Sequence, residues 1–343
     1  MKFKNIIGHR LIKQRFKNMA RDKRIPHSLL FTGSEGIGKR LTAFSLGAYI
    51  NCRSRQKNRP CLKCISCKRV LNGSHPLIRF IGSPKKEPHI VLNYGSGLKI
   101  RFNNMVHSGR RRSITSGKDK PAEKNKNNQI SKTVKINIDQ IRELKKEANH
   151  KPYIDGKKIF IIDDVAQASG EALNGILKVL EEPPGSTYFI LITFSPRKLL
   201  PTVHSRCQTV EFSPLTDRQM ENFINKKVDK KLNKETAEKL IDISDGSPGK
   251  FLKFLDIEEF ISDNINITDF FKVISKQFSD REESIEKLNM LLKKEGVDFN
   301  RSPGEKKYRN IKVMEKAIRD LNKNANITLT VSNMFLKLGL TDI

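Results

Sequence analysis

The chain has 343 residues and sets 66 Lys and Arg against 37 Asp and Glu, a formal net charge of +29. That length accommodates two or three domains, each with its own core, and the charge suits a polyanionic partner or a lysine-rich solvated surface; both readings stay open. No apolar run approaches the ~20 residues of a membrane span, and Met1-Lys2-Phe3-Lys4 does not lead into a secretory apolar segment, so the expected setting is the cytoplasm, without a membrane partner.

Leu11, Ile12, Phe16 and Met19 have helical spacing within 8–21. Ser28-Leu29-Leu30-Phe31-Thr32 then reads as a buried strand, followed by Gly33-Ser34-Glu35-Gly36-Ile37-Gly38-Lys39 and a helix over 40–50. This is a P-loop frame. Gly33, Gly36 and Gly38 let backbone N–H groups converge on phosphate oxygens, and Lys39 would sit on the phosphates of ATP or ADP at a helix N-terminus. The next position ordinarily supplies a Ser or Thr hydroxyl to magnesium, and here it is Arg40, which cannot. An ATPase fold with impaired metal chemistry is expected.

Four of the five cysteines, Cys52, Cys61, Cys64 and Cys67, crowd into a C-x8-C-x2-C-x2-C pattern. Soft thiolates on short turns suit tetrahedral zinc, and a site closed by four protein ligands would be structural. Unliganded thiols and a reactive C-x-x-C pair are the alternatives. Cys207 lies far away and receives no metal role.

A strand is predicted over 76–81 and a hairpin over 89–102, turning at Tyr94-Gly95-Ser96-Gly97. The basic, low-complexity stretch 108–132 has too few apolar residues to bury and reads as a mobile insertion, set at 104–133, open to a nucleic-acid contact or to solvation alone. Asn137 and Gln140 form a capping pair for a helix to 149, with Ile138, Ile141, Leu144 and Ala148 on one face. Lys157 to Ile162 reads as an interior parallel strand ending in Asp163 and Asp164. In an active site Asp163 would hold magnesium and its neighbour would polarise water, although aspartate has a shorter reach than glutamate; the two could instead merely cap the following helix. Leu173, Ile176, Leu177 and Leu180 give the helix 170–182 a core face, and Pro183-Pro184 stops it. Strands follow over 188–193 and 208–212, with Arg206 read at a strand edge.

Asn174-Gly175-Ile176-Leu177-Lys178-Val179-Leu180-Glu181-Glu182-Pro183-Pro184, then Ser205-Arg206-Cys207, resembles the signature of the AAA+ clamp-loader subunits of bacterial DNA polymerase III. The cysteine quartet after the P-loop helix resembles the zinc module of the same family. The resemblance covers 28–207 and extends to Gly246-Ser247-Pro248-Gly249. It implies an α/β plus all-α architecture: a RecA-like parallel-sheet domain over 1–213 with the zinc module at 52–67, a helical lid over 214–256 and a helical collar over 257–343. The motor branch, gamma or tau, has a Ser or Thr after the P-loop lysine, Asp-Glu after the Walker B strand and an arginine in the sensor-2 helix. Arg40, Asp164 and Gly249-Lys250 depart from it, and the chain ends at Ile343 without room for tau's long extension. The resemblance is therefore to the delta-prime or stator branch.

What that implies is a subunit with a degenerate nucleotide site, assembled with delta and three gamma/tau subunits into a pentamer that loads a sliding clamp on primed DNA. Arg206 would be a finger acting in trans on the ATP of a neighbouring motor, and Thr193 would lie near sensor 1. Two other readings remain: an active ATPase motor, and a zinc-containing nucleic-acid binder.

Overall fold

The computed structural model describes the chain except residues 1–5, 23, 55–58, 83–89, 93–97, 101–135, 229–231, 263–273, 276–277 and 339–343. The basic insertion read at 104–133 thus lies outside the described residues, as does the turn proposed at 94–97. Among the described residues no helix is long and apolar enough to cross a membrane. The chain divides into two compact units, Met1–Leu215 and Thr216–Ile343.

The first unit is built on a five-stranded parallel sheet in the order β2-β5-β6-β1-β7. The strands are β1 (Ser28–Thr32), β2 (Ile78–Ile81), β5 (Lys158–Ile162), β6 (Thr187–Ile192) and β7 (Gln208–Glu211). The interior strands β1, β5 and β6 are short apolar runs because both their faces are covered, whereas the edge strand β7 buries only Val210. Successive residues alternate between two cores. Leu29, Phe31, Ile159, Ile161, Ile190 and Ile192 face one core, shared with α1 (Arg10–Arg21) and α2 (Lys39–Ile50). Leu30, Phe160, Ile162, Phe189 and Leu191 face the other, shared with α4 (Ile138–Asn149) and α5 (Gly170–Glu181). Each fully buried large side chain contributes about 1.5–3 kcal/mol. The predicted hairpin is present as β3 (Ile90–Leu92) antiparallel to β4 (Leu98–Ile100), with Ile90 opposite Ile100.

Local chemistry explains the ends of these helices. Asn137 and Gln140 make the expected capping box, and the Gln140 amide also donates to the Gly82 carbonyl, which is why Gln140 is buried. Lys158 on β5 donates to the carbonyls of Glu147 and His150 in and just after the last turn of α4, closing that helix against the sheet. The face of α5 is rotated from the prediction. Ala172, Gly175, Ile176, Val179 and Leu180 are buried, whereas Leu173 and Leu177 are only partly so. The small residues let α5 approach α4: a Cβ on Gly175 would lie 2.9 Å from Ile141 Cγ2.

The second unit is helical in its described residues. Thr216 and Gln219 form a capping box for α7 (Asp217–Lys227), and Asn233 caps α8 (Lys234–Ser244). The Gly-Ser-Pro-Gly segment then has a direct mechanical reading. Asp245 and Gly246 take positive φ (51° and 65°) to leave α8, Ser247 Oγ accepts from the Lys250 N–H, and Pro248 opens α9 (Pro248–Ser262). Three further helices pack in sequence: α10 (Arg281–Arg301), α11 (Glu305–Asn322) and α12 (Ile327–Leu338). The Arg281 guanidinium donates to the Leu321 and Ala325 carbonyls and so caps α11. Ile274 and Phe278 are buried.

Candidate functional site

The phosphate loop leaves the C-terminal end of β1, where ligands bind in open parallel sheets. Gly33, Gly36 and Gly38 have φ of 128°, 78° and 100°, values side chains rarely adopt. At Gly33 space adds a second reason, since a Cβ would sit 2.3 Å from the Phe212 carbonyl oxygen. Helix α2 begins at Lys39 itself, one residue before the predicted start. Lys39 is 3% exposed; its Nζ donates to the Gly33 and Ser34 carbonyls at 2.6 and 2.5 Å and lies 4.4 Å from the centre of the Phe194 ring. Burial lowers its pKa to about 8, against the opposing pull of the Asp163 and Glu35 carboxylates. The loop lysine is thus turned onto its own loop.

Arg40 explains the rest. Its Nε and Nη2 both reach Asp163 Oδ2, at 2.9 and 2.5 Å. The Asp163 side chain is 8% exposed and that of Arg40 31%. Burial opposes the charge on Arg40, but Asp163 outweighs it and holds the pKa above the ordinary arginine value. The other oxygen, Asp163 Oδ1, is buried without a hydrogen-bond partner among the described residues. Asp164 turns away from the strand with φ 52°, and its carbonyl accepts from the Gln167 N–H to begin a short 3-10 turn at Val165–Gln167. Magnesium does not fit this arrangement: the hydroxyl that would share it is missing, and a fixed cation already sits on the carboxylate that would hold it.

The four cysteines are brought together as expected. The sulfurs of Cys52, Cys61, Cys64 and Cys67 all lie within 4.8 Å of one another. Tetrahedral zinc with bonds of ~2.3 Å needs sulfurs about 3.8 Å apart, a contraction of at most about 1 Å. Backbone N–H groups of Cys61, Cys64 and Cys67 point at the sulfurs of Cys52, Cys61 and Cys64, at 3.4, 3.3 and 3.5 Å. Such donors favour thiolate, and the N–H groups of Cys64 and Lys63 lower the Cys61 pKa to about 6. Burial instead pushes Cys52 and Cys67 up. The donor set therefore fits zinc. Cys207, buried in the core beside α5, is pushed up to about 12 by burial, as befits an inert thiol.

A buried relay ties the cysteine module to the sheet. The Leu77 N–H donates to His75 Nδ1 (3.2 Å), which leaves Nε2 to donate to Ser66 Oγ (2.9 Å), whose hydroxyl donates to the Asn51 carbonyl (2.6 Å). The Asn51 side chain then exchanges two hydrogen bonds with Lys157 at the start of β5. This direction of donation needs neutral imidazole, and burial lowers the His75 pKa to about 4. None of Asn51, Ser66 and His75 stands out in the sequence, and no spacing signals them.

Arg206 is the last residue of a one-turn helix, α6 (Pro201–Arg206), and not at the strand edge where the sequence reading puts it. Pro201 starts that turn and β7 ends it. The guanidinium meets Glu181 Oε1 at 2.6 Å through Nη2 and the Thr202 carbonyl at 3.1 Å through Nη1. Thr193 is fully buried at the end of β6; its N–H extends the ladder to Phe31 and its hydroxyl accepts from the Ser195 N–H. Sequence reading also misses His9, whose ring donates to the Ile37 carbonyl at 2.7 Å and stacks edge-on to Phe212, pinning the phosphate loop from outside.

Known proteins share this chain's sequence at moderate identity. The DNA polymerase III subunit tau of Bacillus subtilis is 26% identical over 258 residues, covering 74% of this chain and 37% of the relative. The subunit delta' of the same organism is 28% identical over 218 residues, 64% of this chain and 51% of its own. The delta' subunit of Escherichia coli is 24% identical over 226 residues, 66% and 53%. The chain thus spans about half or less of these relatives' lengths. Residues 8–216 match the family model described as DNA polymerase III, delta subunit. Because that match takes in well over half of the sequence, from before the phosphate loop to the last strand of the sheet, the chain belongs to this family of DNA polymerase III subunits.

Proposed function

We propose that the chain is a delta-prime-type stator of a clamp loader, a subunit that does not turn over ATP itself but promotes turnover in a neighbour. The observation that carries this reading is Arg40 seated on Asp163 Oδ2, with Lys39 bonded to its own loop. A motor needs both side chains for magnesium and phosphate. A stator needs neither. In this reading Arg206 is the finger: a guanidinium is always charged and offers a rigid fork of donors to phosphate oxygens, and related fingers accelerate hydrolysis by roughly 10³ to 10⁵. The four cysteines hold structural zinc, 214–256 acts as a lid, 257–343 as the assembly collar, and the partners are delta, gamma/tau, the clamp and primed DNA.

The test is steady-state ATP hydrolysis by the chain alone, then mixed with motor and delta subunits, clamp and primed DNA. The stator reading requires silence alone, activity in the mixture, and loss of the mixture's activity with Arg206→Ala. The motor reading is kept in play by the tau relative, which aligns over 74% of the chain. Robust turnover by the isolated chain would establish that reading in place of the stator.

A further inference from the structure

Glu181 stands at a place that helix energetics do not favour for a carboxylate. It is the final residue of α5, where the helix dipole presents its negative end and cations, not anions, are stabilising. Pro183-Pro184 fixes the stop, since the residue before a proline is pushed out of the helical region. The stop therefore decides where the carboxylate is presented, and it is presented to Arg206, 25 residues further along and on another helix, at 2.6 Å. The two stretches that carry the family resemblance meet at this one ion pair.

The contact is only partly buried, with side chains 32% and 47% exposed, so it adds little to stability. Its geometry is more informative than its energy. Among the five N–H donors of a guanidinium, those of Nη2 face Glu181 Oε1 at 2.6 Å, while the Thr202 carbonyl and Ser205 Oγ lie 3.1 and 3.4 Å from Nη1. Among the described residues Nε carries no hydrogen bond. Nε can then engage a phosphoryl oxygen while the two Nη atoms are held by the chain itself. A long, flexible side chain with four rotatable torsions is thus given one orientation before any phosphate arrives.

From this arrangement we propose that Glu181 is a positioning residue for Arg206, pre-orienting the guanidinium toward the phosphoryl oxygens of a nucleoside triphosphate bound on an adjacent subunit; the inference rests on the finger reading above. Glu181 touches no substrate. Its effect passes wholly through Arg206, so it appears in the rate of the chemical step and not in nucleotide affinity.

The experiment uses the assembled complex with motor and delta subunits, clamp and primed DNA, and reads kcat and KM for ATP with Glu181→Gln, Glu181→Asp, Arg206→Ala and the double variant Glu181→Gln/Arg206→Ala. Glu181→Gln is expected to lower kcat roughly tenfold with KM unchanged, below the roughly hundredfold that an ångström-scale misplacement costs. Glu181→Asp, which keeps the charge, recovers part of that loss. In the Arg206→Ala background Glu181→Gln is expected to have no further effect, because the side chain it orients is gone. An unchanged or faster rate with Glu181→Gln overturns the proposal, as does an equal loss in both backgrounds, which would mark a structural role. If Arg206→Ala itself leaves the rate intact, the finger reading fails and the positioning proposal falls with it; if only Glu181→Gln is silent, the finger reading stands alone.

Discussion

Replacing Arg40 by threonine tests whether an internal cation has taken the place of magnesium. The change removes the guanidinium from Asp163, whose side chain is 8% exposed and whose Oδ1 already lacks a partner among the described residues. Stripping one member from a buried ion pair costs about 3–5 kcal/mol; with Arg40 about a third exposed, about 2 kcal/mol is the appropriate figure. For a unit of this size that is a fall in Tm of about 4–8 °C, measured by calorimetry or circular dichroism. The introduced threonine would then place a hydroxyl beside a carboxylate with no cation. A magnesium site of millimolar affinity would return about 1.4 kcal/mol at 10 mM MgCl2, so the variant should regain several degrees in magnesium while the native chain does not move. Adding Asp163→Asn should abolish the magnesium response. A variant that melts with the native chain, or a native chain that responds to magnesium equally, would refute the idea that Arg40 substitutes for the ion.

Lys39 supplies a pH signature. Its folded pKa of about 8 lies below the usual 10.5, so between those values the unfolded chain holds a proton that the folded chain lacks, and stability rises with pH through that window. The penalty for the buried charge is fully present below pH 8, and Lys39→Met removes it. Urea titrations should show the variant's advantage over the native chain shrinking by up to about 3 kcal/mol between pH 8 and 10.5, with a pH-independent difference refuting the assignment. The cysteine module should carry one zinc per chain by atomic absorption. Cys64→Ser or a strong chelator should remove the metal and lower Tm; four freely titratable thiols in protein purified without chelator would count against a metal site.

The layered α/β unit is legible because its signals are local. The apolar runs of β1, β5 and β6, the glycines at positive φ and the Asn137–Gln140 capping box each reside within a few residues of sequence. Strand existence and direction follow from those runs. The face of α5 differs from its periodicity for a physical reason: close packing on α4 favours Ala172 and Gly175 over the larger Leu173 and Leu177, and periodicity weighs hydrophobicity rather than the space available. The four cysteines are equally legible, since their cluster closes within sixteen residues. The relay that fastens it, Asn51 to Lys157 and Ser66 to His75, is not, because polar residues acquire meaning there only when the sheet brings them under cover.

The same distinction separates what sequence can say of Arg40 from what only the fold can. The arginine is visible as a missing hydroxyl, a loss. Its partner lies 123 residues away, at the end of another strand, and the pairing changes the meaning of the substitution. An arginine pointing to solvent would leave Asp163 able to take up a metal, and the site would be weak; an arginine on Oδ2 competes with any metal for the same oxygen, and the site is closed by the chain's own charge. Arg206 follows the opposite course. There Glu181 holds Nη2 and the Thr202 carbonyl holds Nη1, and Nε carries no hydrogen bond among the described residues. One arginine commits its donors inward to the carboxylate of its own site, and the other, in the function proposed above, keeps Nε for a neighbour. In that asymmetry, more than in either residue alone, lies the physical case for a subunit whose catalytic contribution is made in trans.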